Sequence, residues 1–196
     1  MCTGGAIHSA LQSNDLQLSH VDFVNNTAGQ YSGSIFLGES HVSVLMSEVS
    51  VSGSSADSGG GLYLSRFSTD VVLSSCDIRH NSASVGGGLV SFVEGLTIQN
   101  TTVDSNVALA SSGGAFVEGA VGWLTLQGSF VSGNVAGSSA GGLMLFKSGN
   151  VTIESCAFLD NEALTDSGGA LSVGNSCPQH LLCAQYCSRG GRRSSN

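Results

Sequence analysis

Small, apolar and polar positions recur along the chain with a single beat. A step of Gly or Ser, then Gly, then a small or apolar residue recurs at Gly5, Gly33, Gly60, Gly87, Gly114, Gly142 and Gly169, with spacings of 28, 27, 27, 27, 28 and 27. A second marker keeps time with it at Asn26, Ser54, Asn81, Asn106, Asn134 and Asn161. Alanine follows two residues after each, at Ala28, Ala56, Ala83, Ala108, Ala136 and Ala163. Markers in phase over so many periods are the signature of a solenoid. Ahead of each Asn the apolar positions alternate with polar ones, as in Leu18, Val21, Phe23 or Leu73, Cys76, Ile78. Their spacing is two apart from one three-residue step, which predicts strand, bend, strand. A further strand begins after each glycine, and its second position past that glycine is always apolar: Ile7, Ile35, Leu62, Leu89, Phe116, Met144 and Leu171. No coil shows the 3.6-residue stripe of an amphipathic helix.

Two solenoids fit the Asn half of the coil. Leu18-x-x-Val21-x-Phe23-x-x-Asn26 satisfies a leucine-rich repeat as well as a parallel β-helix, since both stack Asn at a tight bend. A leucine-rich repeat wants a large apolar residue two after the Asn, where this chain has Ala, and needs a helical or 3₁₀ second half. Here that half reads GGGLYLSRFSTD or SGGAFVEGAVGW, and each glycine costs about 1 kcal/mol in a helix. The expectation is therefore an all-β, single-stranded parallel β-helix of about six coils of 27–28 residues. It covers residues 1–174, followed by a Cys-containing tail or cap over 175–196. A lone coil buries too few side chains to offset the entropy of ordering its backbone. Stacking adds parallel hydrogen bonds above and below every strand. The Asn column is expected to form an amide ladder at left-handed bends, and the glycines to serve a second corner through positive φ or close approach.

Gly4-Gly5-Ala6-Ile7 followed by Phe23-x-x-Asn26 resembles the paired GGA[ILV] and FxxN repeats of chlamydial polymorphic outer membrane proteins. The likeness runs as a degenerate pattern over roughly residues 3–174. Phe158/Asn161 matches the FxxN half strictly, while Val51/Ser54, Ile78/Asn81, Val103/Asn106 and Val131/Asn134 depart from it. It implies a right-handed β-helix displayed at the cell surface, outer-membrane-associated if the source is bacterial, with adhesion as its role.

Composition and charge narrow the partners. The chain has 28 Gly and one Pro, 41% hydrophobic and only 10% charged residues. All fourteen acids lie before residue 175, where the only cations are Arg66, Arg79 and Lys147; Arg189, Arg192 and Arg193 sit in the tail, and the net charge is −8. Such a body repels phosphate backbones, so no nucleic-acid partner is expected. No apolar run approaches the ~18 residues of a transmembrane helix. MCTGGAIHSALQ lacks the basic start and apolar core of a signal peptide. The chain opens mid-coil, so it is expected to be part of a longer polypeptide.

Residues able to do chemistry are sparse. A glycoside hydrolase needs two carboxylates facing one cleft. Asp22 and Asp77 hold equivalent outward positions two coils apart, and Glu94 and Glu118 fall at different phases. Asp77, Arg79 and His80 form the nearest thing to a site, with a solvated turn as the plainer reading. An outward column of Thr97, Thr125 and Thr152 follows from β-propensity. Cys76 and Cys156 take inward positions three coils apart and read as buried thiols. Cys177, Cys183 and Cys187, with His180, lack CxxC pairs and read as an end cap or the start of a Cys-rich module rather than a metal site; Cys2 is left over. Asn25, Asn100 and Asn150 open N-glycosylation sequons that only a eukaryotic secretory route would use. No cofactor and no catalytic or metal residue is expected. The sequence points to a non-enzymatic, extracellular or cell-surface spacer or adhesin-like protein whose partner is a host or cell-surface protein or glycan. The alternative is a polysaccharide-binding or polysaccharide-cleaving, pectate-lyase-like β-helix.

Overall fold

The computed structural model describes residues 4–10, 14–38, 42–119, 122–147, 149–166 and 168–174, with the backbone of 181–184. Every named element is a strand and every strand pairing is parallel. The chain is a β-solenoid of about six turns with three sheets around one core. The seven-stranded sheet stacks Ile7–Ser9, Ile35–Leu37, Leu62–Leu64, Leu89–Ser91, Ala115–Glu118, Leu143–Phe146 and Leu171–Gly174 in that order. An eleven-stranded sheet carries the residues ahead of each Asn, and a four-stranded sheet carries the alanine segment. In the first two coils one long strand, Asn14–Val24 or Val42–Ser52, runs through the bend of the eleven-stranded sheet. Later coils split there, as in Thr69–Ser74 and Asp77–Arg79.

Identical positions stand above one another, so the core is a set of columns. Leu18, Met46, Leu73, Ile98, Leu126 and Ile153 form one; Phe23, Val51, Ile78, Val103, Val131 and Phe158 form another. From Met46 and Val51 onward these residues are buried. The backbone of Leu181–Ala184, inside the stretch assigned to the tail, adds a further rung beside Asn150–Glu154.

The strand after the glycine departs from the expected phase in two coils. Leu62 pairs with Leu89, Leu89 with Ala115, and Ala115 with Leu143. The column of repeat glycines is therefore Gly5, Gly33, Gly60, Gly87, Gly113, Gly141 and Gly169, not Gly114 and Gly142. Phe116 and Met144 consequently point outward, between buried Ala115 and Val117 and between buried Leu143 and Leu145. The slip arises because Asn81 and Asn106 are only 25 residues apart. One residue is regained at an irregularity between Ala108 and Ser111, so the next two glycines in register are Gly113 and Gly141, while Gly169 keeps its expected place.

The corners also differ from expectation. The ladder Asn residues are not left-handed; the residue before each is, namely Asn25, Gly53, His80, Ser105, Gly133 and Asp160. A second left-handed column, His20, Glu48, Ser75, Asn100, Gly128 and Ser155, makes the bend within the eleven-stranded sheet. A third, Gly4, Ser32, Gly59, Gly86, Ser112, Ala140 and Gly168, immediately precedes the repeat glycines. The repeat glycines themselves are needed for close approach. A Cβ on Gly60 would lie 2.3 Å from the Gly87 carbonyl oxygen and 2.5 Å from that of Ser82.

Candidate functional site

The Asn column is bonded along its length. The Asn81 and Asn106 backbone N–H groups donate to Oδ1 of Asn106 and Asn134, at 2.9 and 3.0 Å, and Asn134 donates likewise to Asn161 at 3.1 Å. Each of these amides also donates twice from Nδ2. Asn106 reaches the Ile78 carbonyl at 2.9 Å and Asn134 Oδ1 at 3.0 Å. At Ser54 the hydroxyl substitutes, accepting from the Asn26 N–H at 3.3 Å and bonding Ser34 Oγ at 2.7 Å. Asn81, Asn106 and Asn134 are fully buried, so these residues serve the rod and face no ligand.

A second bonded corner was not legible in the pattern. The Cys76 N–H donates to Thr101 Oγ1, and the Thr101 N–H to Ser129 Oγ, both at 3.1 Å. Cys76 and Cys156 are buried thiols that donate to the Met46 and Leu126 carbonyls, each at 3.4 Å. These corner positions share only a side-chain Oγ or Sγ one atom from Cβ, and that chemical likeness is the signal that could have found them.

The trio singled out from sequence is only partly assembled. Arg79 Nε lies 3.1 Å from Asp77 Oδ2 on the outer face of the eleven-stranded sheet. His80 occupies the adjoining left-handed corner, and no hydrogen bond or ion pair joins it to the other two. Asp22 and Asp77 are held apart by Ser50. Thr97, Thr125 and Thr152 stand in register, with Val72 instead of Thr below them. The sequon residues Asn25, Asn100 and Asn150 are all exposed. Cys2, Cys177, His180 and Cys187 lie outside the described residues, and only the backbone of Cys183 is described. Among the described residues no group of three or more His, Cys, Asp or Glu could hold a metal ion, and no helix is long and apolar enough to cross a membrane.

Among the described residues an open cleft of about 320 Å³ lies on the connection between the seven-stranded and eleven-stranded sheets. It exists because one connection is short. From Leu64 to Val71 is a step of seven residues and from Val117 to Leu124 again seven, but the equivalent positions Ser91 and Leu96 are only five apart. Phe92, Val93 and Glu94 thus form a recessed floor. Arg66 and Phe67 rise on one side of it, and Glu118, Gly119 and Lys147 on the other. Glu94 and Glu118, at different phases of the coil, nevertheless line the same cleft.

An aromatic column leads into it. His8, Phe36 and Tyr63 stack with ring centroids 4.8 and 5.5 Å apart and planes within 17° of parallel. Tyr31 packs beside Tyr63 at 4.7 Å. Past Tyr63 the column opens: Tyr63–Phe92 and Phe92–Phe116 are 5.7 and 6.0 Å apart but tilted by 49° and 60°. Arg66 lies over the Phe92 ring, 5.6 Å from its centroid. Lys147 Nζ is 5.0 Å from the Phe146 centroid and 3.9 Å from Glu118 Oε1. Burial and neighbouring Tyr31 push the Tyr63 phenol above its ordinary value, while Arg66 pulls it down.

No family model, curated protein or solved structure matches the chain.

Proposed function

We propose that this protein is a non-enzymatic β-solenoid scaffold, a surface-exposed or secreted spacer of adhesin-like type. The observation that carries the reading is the internal bonding of the repeat. The recurring polar residues of the Asn column are tied to one another or to the backbone inside the rod. What recurs from coil to coil is therefore the rod, and what differs between coils is the outer surface. The resemblance of the repeat to polymorphic outer membrane proteins supports the same reading, including display at the cell surface.

A second reading, cleavage of a polysaccharide, is favoured by one observation: two carboxylates, Glu94 and Glu118, share a cleft with Arg66 and Lys147. One experiment separates the two. Protein displayed on beads is tested for retention on cells and on immobilised polysaccharides, and in parallel for release of reducing ends or unsaturated products. Retention without product supports the scaffold. Product that disappears in Glu118→Gln, Glu94→Gln or Asp77→Asn, with folding intact, overturns it.

A further inference from the structure

Two of the body's three cations line one cleft, and so do the only two irregular left-handed residues among those described. Twenty-two of the positive-φ residues fall into columns: the three corner columns, and Asp15, Ser43 and Asp70 at successive strand starts. Phe67 (φ 65°) and Lys147 (φ 50°) belong to none of them. For a bulky L-residue this conformation is costly, and such strain clusters where the chain must present a side chain. What it presents at Phe67 is a phenyl ring 58% exposed, on a chain that keeps its other turns mostly polar or small.

The charges select the ligand. Lys147 lies 3.9 Å from Glu118, and Arg66 and Glu94 line the same cleft, so the lining carries two cations and two carboxylates inside a strongly acidic body. An anionic ligand would meet two carboxylates, and a cationic one would meet a guanidinium and an ammonium. Among the described residues Arg66 has no carboxylate within ion-pair distance, and its guanidinium lies over the Phe92 ring. A ligand rich in hydroxyls can donate to both Glu residues and accept from both cations. An apolar C–H face on the same ligand would cover Phe67. Neutral sugars have both features. At about 320 Å³ the cleft is at the lower end of the ~300–1,000 Å³ usual for small ligands, which suits one or two rings of a chain passing through. Its walls come from four successive coils stacked at ~4.8 Å, close to the length of one pyranose unit in an extended chain.

We propose that the Arg66–Phe67–Phe92–Glu94–Glu118–Lys147 cleft binds a neutral oligosaccharide lying along the solenoid axis. The inference deepens the scaffold reading and rests on it for binding without turnover.

The test is isothermal titration of the full chain with neutral hexasaccharides (cellohexaose, laminarihexaose, mannohexaose, xylohexaose), with hexagalacturonate and chitosan hexamer as the charged probes. At least one neutral hexamer is expected to bind with Kd below about 1 mM and more tightly than either charged probe. Phe67→Ala and Arg66→Ala are each expected to weaken it at least about tenfold, a change of 1.4 kcal/mol. Phe130→Ala, an exposed ring on the eleven-stranded sheet, should leave it unchanged. Far-UV circular dichroism melts of the three variants should superimpose on the parent; if Arg66→Ala melts early, Phe67→Ala alone decides. The proposal is overturned if no neutral hexamer binds, if a charged probe binds more tightly, or if Phe67→Ala binds as the parent does. Any of these without turnover leaves the scaffold standing, whereas turnover removes the scaffold whichever sugar binds.

Discussion

Replacing Asn106 by alanine tests the amide ladder at its centre. Asn106 is fully buried. Its Oδ1 accepts from the Asn81 backbone N–H at 2.9 Å and from Asn81 Nδ2 at 3.0 Å, and its Nδ2 donates to Ile78 and Asn134. Removing the amide leaves some partners provided for: Asn81 Nδ2 keeps the Val51 carbonyl at 2.9 Å, and Asn134 Oδ1 keeps the Asn106 N–H. The Asn81 N–H keeps no acceptor. An orphaned buried donor costs ~1–3 kcal/mol and each of the three further bonds lost ~1 kcal/mol net, so the expected loss is about 4–6 kcal/mol. That is a large share of the ~5–15 kcal/mol by which domains are stable. Asn26→Ala is the control in the same column. Asn26 is half-buried and its amide makes one bond, to Ser34 Oγ at 3.3 Å, so its loss is expected to cost under about 1 kcal/mol. Asn106→Ser should fall between them, because the hydroxyl of Ser54 already serves as the acceptor in its own coil. Urea titration followed by far-UV circular dichroism measures all three, and unchanged m-values show that the unfolding unit is the same. If Asn106→Ala and Asn26→Ala agree within about 0.5 kcal/mol, the amide column does not hold the coils together.

Gly60→Ala places a Cβ 2.3 Å from one backbone oxygen and 2.5 Å from another and is expected to cost about 3 kcal/mol or more. Gly119→Ala, whose Cβ would meet only the Val93 oxygen at 3.3 Å, should melt within a few degrees of the parent; equal melting of the two refutes the close-approach argument. Ser91 points inward with a buried hydroxyl that has no hydrogen-bond partner, so Ser91→Ala is expected to stabilise by about 1 kcal/mol, read as a higher urea midpoint. Burial raises the Cys76 thiol above its ordinary value, so the folded chain keeps a proton that the unfolded chain releases. The associated stability is complete below the ordinary thiol range of about 8.5 and is lost as pH rises through the raised value. Cys76→Val, isosteric with Val49 one coil away, should therefore flatten the fall in melting temperature between about pH 7 and about pH 10; an unchanged slope refutes the assignment to Cys76. Inserting Gly-Ser after Val93 restores the longer connection found on either side. It should abolish sugar binding at little cost to the melt, since two more residues in a connection cost only tenths of a kcal/mol.

The architecture was legible because a stacked solenoid states each structural requirement six times. One Leu18 suggests little, but Leu18, Met46, Leu73, Ile98, Leu126 and Ile153 in one register mark a solenoid, and the glycine-rich half of each coil decides for strands over helices. Legibility failed where alternation was absent. Ala115-Phe116-Val117 and Leu143-Met144-Leu145-Phe146 are apolar throughout, so nothing local says which residues face in, and a one-residue slip exchanges the two faces. The glycine run gave no correction, because Gly113-Gly114 and Gly141-Gly142 offer two equivalent alignments. At the Asn corner, residue type misled: Asn tolerates the left-handed region, yet the ladder uses its amide, and the strained conformation falls on the residue before, which is Asn, Gly, His, Ser, Gly and Asp in turn. Residues that vary so widely carry no visible marker.

The cleft was hidden for the opposite reason, since it depends on what one coil omits. A periodic reading averages coils and treats the 25 residues between Asn81 and Asn106 as a small deviation from 27 or 28. Physically that deviation cannot be spread over the coil. The bonded columns at the Asn corner and at Cys76–Thr101–Ser129, and the close approach at each repeat glycine, lock the strands above and below into register. The missing length comes out of a connection that no side-chain ladder holds, between Ser91 and Leu96. A gap opens there because its neighbours keep their length, and their side chains overhang it. In a rod whose corners are fixed by ladders, the spacing between successive ladder residues thus reports where the surface is recessed. Phe67 and Lys147 leave no such trace, because their left-handed backbone has no counterpart in residue spacing and arises only in the folded chain.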